Sequence, residues 1–147
     1  MGHTFSKNYF HIVFSTKRRQ KLISNEIRPQ LWAYMIGICR NVGIAGLAIG
    51  GMDNHVHALV ELKPDMSVAK AANLLKSNSS SWMKRQRIKF AWQEGYSSFT
   101  VSASNLSAVK RYVLDQERHH RKRRYEEEIM ALLRKHGITA DPKDIFD

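Results

Sequence analysis

The sequence predicts an α+β domain in which an antiparallel sheet carries helices packed mainly on one face. Three observations point there. Short stretches with period-two apolar alternation are interleaved with longer stretches of helical spacing. A glycine-rich connection joins the second and third strands and is short enough to make them a hairpin. The resulting order, strand, helix, strand, strand, helix, strand, helix, is the split βαβ order of ferredoxin-like folds. A chain of 147 residues suits one domain, 1–147, with 129–147 expected as a peripheral tail.

Each element has its own local reason. Tyr9 to Thr16 is rich in aromatic and β-branched residues, with Phe10, Ile12 and Phe14 on one face, and reads as the first strand. Helical spacing follows from Asn25 to about Val42, with Ile27, Leu31, Tyr34, Met35 and Ile38 on one stripe, Asn25 as N-cap and Pro29 near the start. Ile44 to Gly51 is the second strand, and Gly50 to Asn54 turns into a third containing His55, Val56 and His57. Ser67 caps a second helix that runs through a serine-rich stretch to about Arg87. Trp82 on that helix is expected to anchor the core. Tyr96 to Ser102 alternates as a fourth strand, and Asn105 or Ser107 caps a long last helix starting near Leu106. In that helix Glu117 to Glu128 is a dense mixed-charge segment, expected to be a solvated face laced with ion pairs. On this reading the second face of the sheet is free to bind something.

Charge narrows the partner. With 24 Lys plus Arg against 13 Asp plus Glu, the formal net charge is +11, a balance suited to a polyanion such as nucleic acid. No apolar run is long enough to cross a bilayer and the N-terminus opens no signal peptide, so a cytoplasmic protein with no membrane partner is expected. Cys39 is the sole cysteine, which leaves no intramolecular disulfide and no thiolate zinc cluster.

Two places carry chemistry. Strand side chains alternate faces, so His55 and His57 project from the same side of the sheet, one rung apart, and could share one metal ion. An ordinary hydrogen-bonded pair fits the same spacing. Tyr112 and Gln116 are four residues apart on the last helix and share a face. A phenol can serve as a nucleophile toward a phosphodiester, and an amide oxygen is a hard ligand. Two imidazoles, an amide oxygen and water would suit Mg²⁺ or Mn²⁺. Taken alone, Tyr112 also fits a half-buried aromatic. Glu61 shares the face of the histidines, and His119 and His120 follow Gln116, so these three are candidates for supporting the ligands from behind.

The order and spacing of these residues carry a resemblance. His55-Val56-His57 resembles the histidine–hydrophobic–histidine (HUH) motif, and Lys110 to Gln116 resembles the single-tyrosine helix of the small HUH transposases of bacterial insertion sequences, in particular the REP-associated tyrosine transposases. His11 to Phe14, Met52 to His57, Leu75 to Ser80, Trp92 to Tyr96 and Tyr112 to His120 take part in it. The resemblance implies metal-dependent cleavage and rejoining of single-stranded DNA beside a hairpin, through a 5′-phosphotyrosine intermediate. It makes Tyr112 the nucleophile and His55, His57 and Gln116 the metal ligands, and it implies a homodimer. Lys17, Arg18, Arg19, Lys76, Lys110 and Arg111 are the expected DNA contacts. The rival readings are a domesticated, non-catalytic nucleic-acid-binding module and, more distantly, a metallohydrolase of small phosphate esters.

Overall fold

The computed structural model describes residues 2–146. Four strands, β1 (Asn8–Ser15), β2 (Ala45–Gly51), β3 (His55–Leu62) and β4 (Ser97–Val101), form one antiparallel sheet in the order β2-β3-β1-β4. Between them run α1 (Arg28–Val42) and α2 (Val68–Arg85), and after β4 come α3 (Leu106–Leu114), α4 (Gln116–His119), α5 (Tyr125–Lys135) and α6 (Pro142–Ile145). The fold class is the expected α+β, ferredoxin-like one. Among the described residues no helix is long and apolar enough to cross a membrane.

Strand alternation decides which residues meet which helices. Ile12 and Phe14 of β1 and Val56, Ala58 and Val60 of β3 point to the face covered by α1 and α2, where they bury Leu31, Met35, Ala71, Leu75 and Met83. Trp92 and Phe90 close that core, with the Trp92 ring edge-on to Phe14 at 4.8 Å. Cys39 is buried in it, and burial pushes its thiol up to about 11. Trp82 is only partly buried and stacks on Tyr34 at 4.9 Å, so it flanks this core rather than anchoring it.

Two helix boundaries differ from expectation. The first helix begins at Arg28 rather than Asn25: residues 25–27 form a turn in which the Ile27 amide donates to Ser24 Oγ at 3.3 Å. The second ends at Arg85, and Arg87 lies at φ 62. Its serine-rich stretch is helical, with Ser77, Asn78 and Ser79 returning their side chains to the carbonyls of Asn73, Leu74 and Leu75.

The largest differences lie after β4. The second sheet face is covered rather than free, by α3 over β2 and β3 and by α5 over Val13 and Phe99. The long last helix is broken at Asp115 (φ −106, ψ 29) and ends at His119. Residues 118–124 read Arg-His-His-Arg-Lys-Arg-Arg. Like charges three and four apart repel on a helix, and the segment has no apolar stripe to bury. A new stripe of Tyr125, Ile129 and Leu133 starts α5, and all three are buried. Residues 129–135 are therefore part of the packed domain, not of a peripheral tail.

Candidate active site

The sheet sets the site. β3 is a central strand, and its register places Val13 opposite His57 and Ser15 opposite His55. Both imidazoles are fully buried on the face toward α3 and α5. Each is held from behind through Nδ1: His55 Nδ1 lies 2.8 Å from Asn54 Oδ1, and His57 Nδ1 lies 2.7 Å from His11 Nε2. Both Nε2 atoms therefore face forward, into the space between sheet and helices.

α3 and α4 bring the second half of the site. Gly50 lets α3 lie directly on β2, where Val113 is fully buried. Tyr112, the preceding residue, then reaches toward His57, with ring centroids 5.7 Å apart. Gln116 is buried, and its amide is fixed by a hydrogen bond from Nε2 to the Tyr112 carbonyl at 3.0 Å. Its Oε1 is thereby turned toward His55 Nε2, 3.3 Å away, and toward His120 Nε2, 3.0 Å away. The nucleophile candidate and all three expected ligands thus come together within one chain.

The carboxylate at the centre of this group is Glu128 of α5, only 2 % exposed. Its Oε1 lies 3.0 Å from His57 Nε2, 3.1 Å from His120 Nε2 and 3.4 Å from His55 Nε2. Its other oxygen, Oε2, accepts a hydrogen bond from the Tyr112 hydroxyl. His55, His57 and Glu128 offer ligand atoms within 4.8 Å of one another. Glu128 was hidden in the sequence by the charged segment around it. Its signal was a carboxylate set within the stripe of Tyr125, Ile129 and Leu133. His11 was missed as well; it faces away from Phe10, Ile12 and Phe14, on the side of the histidine pair.

Burial controls the electrostatics. It drives the pKa of His55 down to about 4 and that of His11 well below its usual value, with His57 adding to the latter. For Glu128, burial favours protonation, but the imidazoles around its oxygen, His120 first, outweigh it and hold the carboxyl well below its usual range. Burial and then the Glu128 charge raise the pKa of Tyr112, so its phenol keeps its proton.

This donor set fits a divalent cation. His55 Nδ1 donates to Asn54, so the Nε2 of this deprotonated ring carries a lone pair. That lone pair faces two acceptors, Gln116 Oε1 and Glu128 Oε1. Acceptors converging in a buried site repel one another, and a shared cation reverses the sign of the interaction. Imidazole nitrogens with amide and carboxylate oxygens form a mixed set of the kind that takes first-row divalent ions.

The other expected residues sit farther out. His119 lies against Tyr112, ring centroids 4.7 Å apart, on the solvent side. Glu61 is near the far end of β3 and pairs with Lys7 Nζ at 3.5 Å, away from the imidazoles. Lys76 Nζ binds the carbonyls of Gln93, Glu94 and Gly95, tying α2 to the loop before β4. Lys17, Arg18 and Arg19 form a turn after β1 in which Arg19 pairs with Glu126 at 3.0 Å. Lys110 and Arg111 are exposed on α3. A cavity of about 550 Å³ opens in front of Tyr112, lined by Arg118, His119, Lys122, Arg123 and Glu128 among others. A phosphate backbone entering it would meet cations at its rim.

Comparisons with known proteins bear on the family and the fold. The transposases of insertion sequence element IS200 from Salmonella typhimurium and Salmonella typhi are each 28 % identical over 124 residues, covering 79 % of this chain and 81 % of theirs. The crystal structure of a protein from Deinococcus radiodurans R1, described as a candidate transposase, superposes with a TM-score of 0.61 at 22 % identity, over 77 % of this chain and 92 % of that one. A REP-associated tyrosine transposase bound to a REP hairpin superposes with a TM-score of 0.55 at 14 % identity, over 77 % and 68 %. At these identities the two structures speak for the fold. The model of IS200-like transposases matches residues 4–116, ending on Gln116, and the chain belongs to that family.

Proposed function

We propose that this transposase cleaves and rejoins single-stranded DNA through Tyr112, with His55, His57 and Gln116 holding a divalent cation, Mg²⁺ or Mn²⁺. The observation that carries the reading is that Tyr112 and Gln116, four residues apart across the break at Asp115, stand over the two imidazoles of β3. The Tyr112 oxygen attacks the scissile phosphorus. As the tyrosine–phosphorus bond forms, the bond to the 3′-oxygen breaks, leaving a 5′-phosphotyrosine link and a free 3′-hydroxyl. The phenol proton leaves by way of Glu128 Oε2, its hydrogen-bond partner, to water, and the departing oxygen takes one from water, so none is consumed overall. Bound at this site, the cation would polarise the phosphate and stabilise the leaving oxygen. Attack by the 3′-hydroxyl of another strand reverses the step and rejoins DNA.

Arg118, Lys122 and Arg123 at the cavity rim would guide the phosphate backbone, with Lys110 and Arg111 on the adjoining helix face. A foldback hairpin beside the cleavage site is the substrate form suggested by the solved relative with a REP hairpin. The family resemblance also favours a homodimer. Tyr112 meets the imidazoles of its own chain, which supports a whole site in each subunit.

The reading is tested with single-stranded oligonucleotides carrying the palindromes that flank the gene, incubated with the protein and Mn²⁺. A protein–DNA adduct stable to denaturant is expected from the wild type and not from Tyr112→Phe. An adduct of equal yield from Tyr112→Phe, or none from either, overturns it.

A further inference from the structure

We propose that Glu128, together with His120, completes the cation site and that the same carboxylate fixes the Tyr112 hydroxyl, so that ion binding and nucleophile placement are coupled through one side chain. The inference rests on the transposase chemistry proposed above. Both residues lie beyond the stretch matched by the family, which ends at residue 116. They are supplied by α5 and by the basic turn that leads into it.

The two oxygens of Glu128 have different neighbours. Oε1 lies within 3.4 Å of three imidazole nitrogens, those of His55, His57 and His120. Oε2 receives the Tyr112 hydroxyl. A buried carboxylate costs several kcal/mol of desolvation unless strongly compensated. One such group, set among imidazoles of which two also face the Gln116 amide oxygen, marks the point where a cation would sit. His120 Nε2 is 3.0 Å from Gln116 Oε1 and 3.1 Å from Glu128 Oε1, so it converges on the same point. Its side chain is only 7 % exposed. The ring is packed at 4.6 Å from that of His55, which limits its freedom to turn away.

A polar cluster that only stabilises the fold would not need this convergence. Glu128 accepting from Tyr112 and one histidine would satisfy it. Instead, three imidazoles crowd a single carboxylate oxygen, and two of them, His55 and His120, also face the Gln116 amide oxygen, which is turned by its own bond to Tyr112. Glu128 is accordingly a ligand through Oε1 and a positioning residue for the nucleophile through Oε2. It sets the distance between the ion and the phenol that attacks beside it.

The test is Mn²⁺ binding to the full-length, metal-stripped protein, measured by calorimetry and by the electron paramagnetic resonance signal of free Mn²⁺. Glu128→Gln and His120→Gln are each expected to weaken binding by about tenfold or more. Glu128→Asp, which keeps the charge, should recover part of that loss. Mn²⁺ should also perturb the near-ultraviolet band of Tyr112, isolated by subtracting Tyr112→Phe, and Glu128→Gln should abolish the perturbation. Wild-type affinity in both Glu128→Gln and His120→Gln overturns the proposal; if Glu128→Gln does not fold, His120→Gln alone decides. Failure of the inference is separable from failure of the reading it rests on. If His57→Ala loses Mn²⁺ while these two variants keep it, only Glu128 and His120 are excluded, whereas a wild type that binds no Mn²⁺ removes both.

Discussion

A Cβ placed on Gly50 would sit 2.2 Å from the Val113 carbonyl oxygen and 3.2 Å from its carbon, so the backbones of β2 and α3 are in direct contact. The seat of the helix that carries Tyr112 is thus a missing side chain. Tyr112 is one residue from this contact, and its reach toward His57 depends on it. Gly50→Ala must push α3 outward, and overpacking of this kind costs about 1–3 kcal/mol. Cleavage should fall even where the protein stays folded, because a displacement of about 1 Å at the proposed nucleophile can lower a rate on the order of a hundredfold. Single-turnover adduct formation and thermal melting measure the two effects. Gly37→Ala is the control: nothing lies within 4 Å of its Cβ, it is in the interior of α1, and the change should stabilise the protein by about 0.5–1 kcal/mol. A Gly50→Ala variant that cleaves like the wild type would show that α3 is not seated by this contact.

Acid should weaken the metal-free protein in a defined window. The His55 pKa is about 4 in the fold against 6.5 when unfolded, chiefly through burial. Its folded value is the lower one, so the unfolded chain binds the extra proton first, and stability falls as pH drops from 6.5 toward 4. The full window is worth about 3 kcal/mol at most. His11 acts in the same sense, its own pKa being depressed by burial. Glu128, held low by its histidine partners, adds a further loss below the ordinary carboxylate range. Urea midpoints in chelator should decline steadily from pH 7 to pH 5. A flat profile there would mean that these imidazoles are not buried in the absence of metal.

Most of the fold was legible because strands and the first two helices advertise themselves by period. Phe10, Ile12 and Phe14 alternate, Leu31, Met35 and Ile38 recur at helical spacing, and a glycine turn joins β2 to β3. The site was half legible for the same reason. His55 with His57, and Tyr112 with Gln116, are local pairs whose spacing fixes a shared face. What the sequence concealed was non-local. Glu128 meets His57 across 71 residues and His11 meets it across 46, and no period links them. The break at Asp115 was concealed too, since helical propensity continues through residues 117–119 and it is the lack of an apolar stripe after them that turns the chain back. The covering of the second sheet face followed from that turn, because α5 supplies much of the cover.

Asn54 should be worth more to metal binding than to stability. Its Oδ1 accepts from His55 Nδ1 at 2.8 Å, which fixes the ring and points the Nε2 lone pair forward. Asn54→Ala frees the ring to turn or change tautomer. Loss of such a support typically lowers metal affinity by about 10–100-fold. Asn54→Asp keeps the acceptor and should retain most of the affinity. Mn²⁺ titration of the three proteins distinguishes them; equal affinity for Asn54→Ala would mean that packing against Tyr125, whose ring stacks on His55 at 4.5 Å, is enough to orient it.

Ile129 links the stability of α5 to the chemistry of the site. It is fully buried in a cluster with Val13, Phe99, Tyr125 and Leu133, and it follows Glu128 directly. Ile129→Ala removes buried methyl and methylene groups and leaves a cavity, at a cost of about 2–4 kcal/mol. The α1 and α2 side of the sheet does not depend on this cluster, so the loss should fall first on α5. Hydrogen exchange is expected to show faster opening of residues 125–135 with little change in α1 and β1. As α5 loosens, Glu128 and Tyr125 leave the imidazoles together, and Mn²⁺ affinity should fall in step with the local opening. Ile129→Val, which deletes only one methyl group, should cost about 0.5–1.5 kcal/mol and keep the affinity nearly intact. If Ile129→Ala instead unfolds the whole chain in one step with no local opening, α5 is bound into the same cooperative unit as the sheet, and the site cannot loosen without global unfolding.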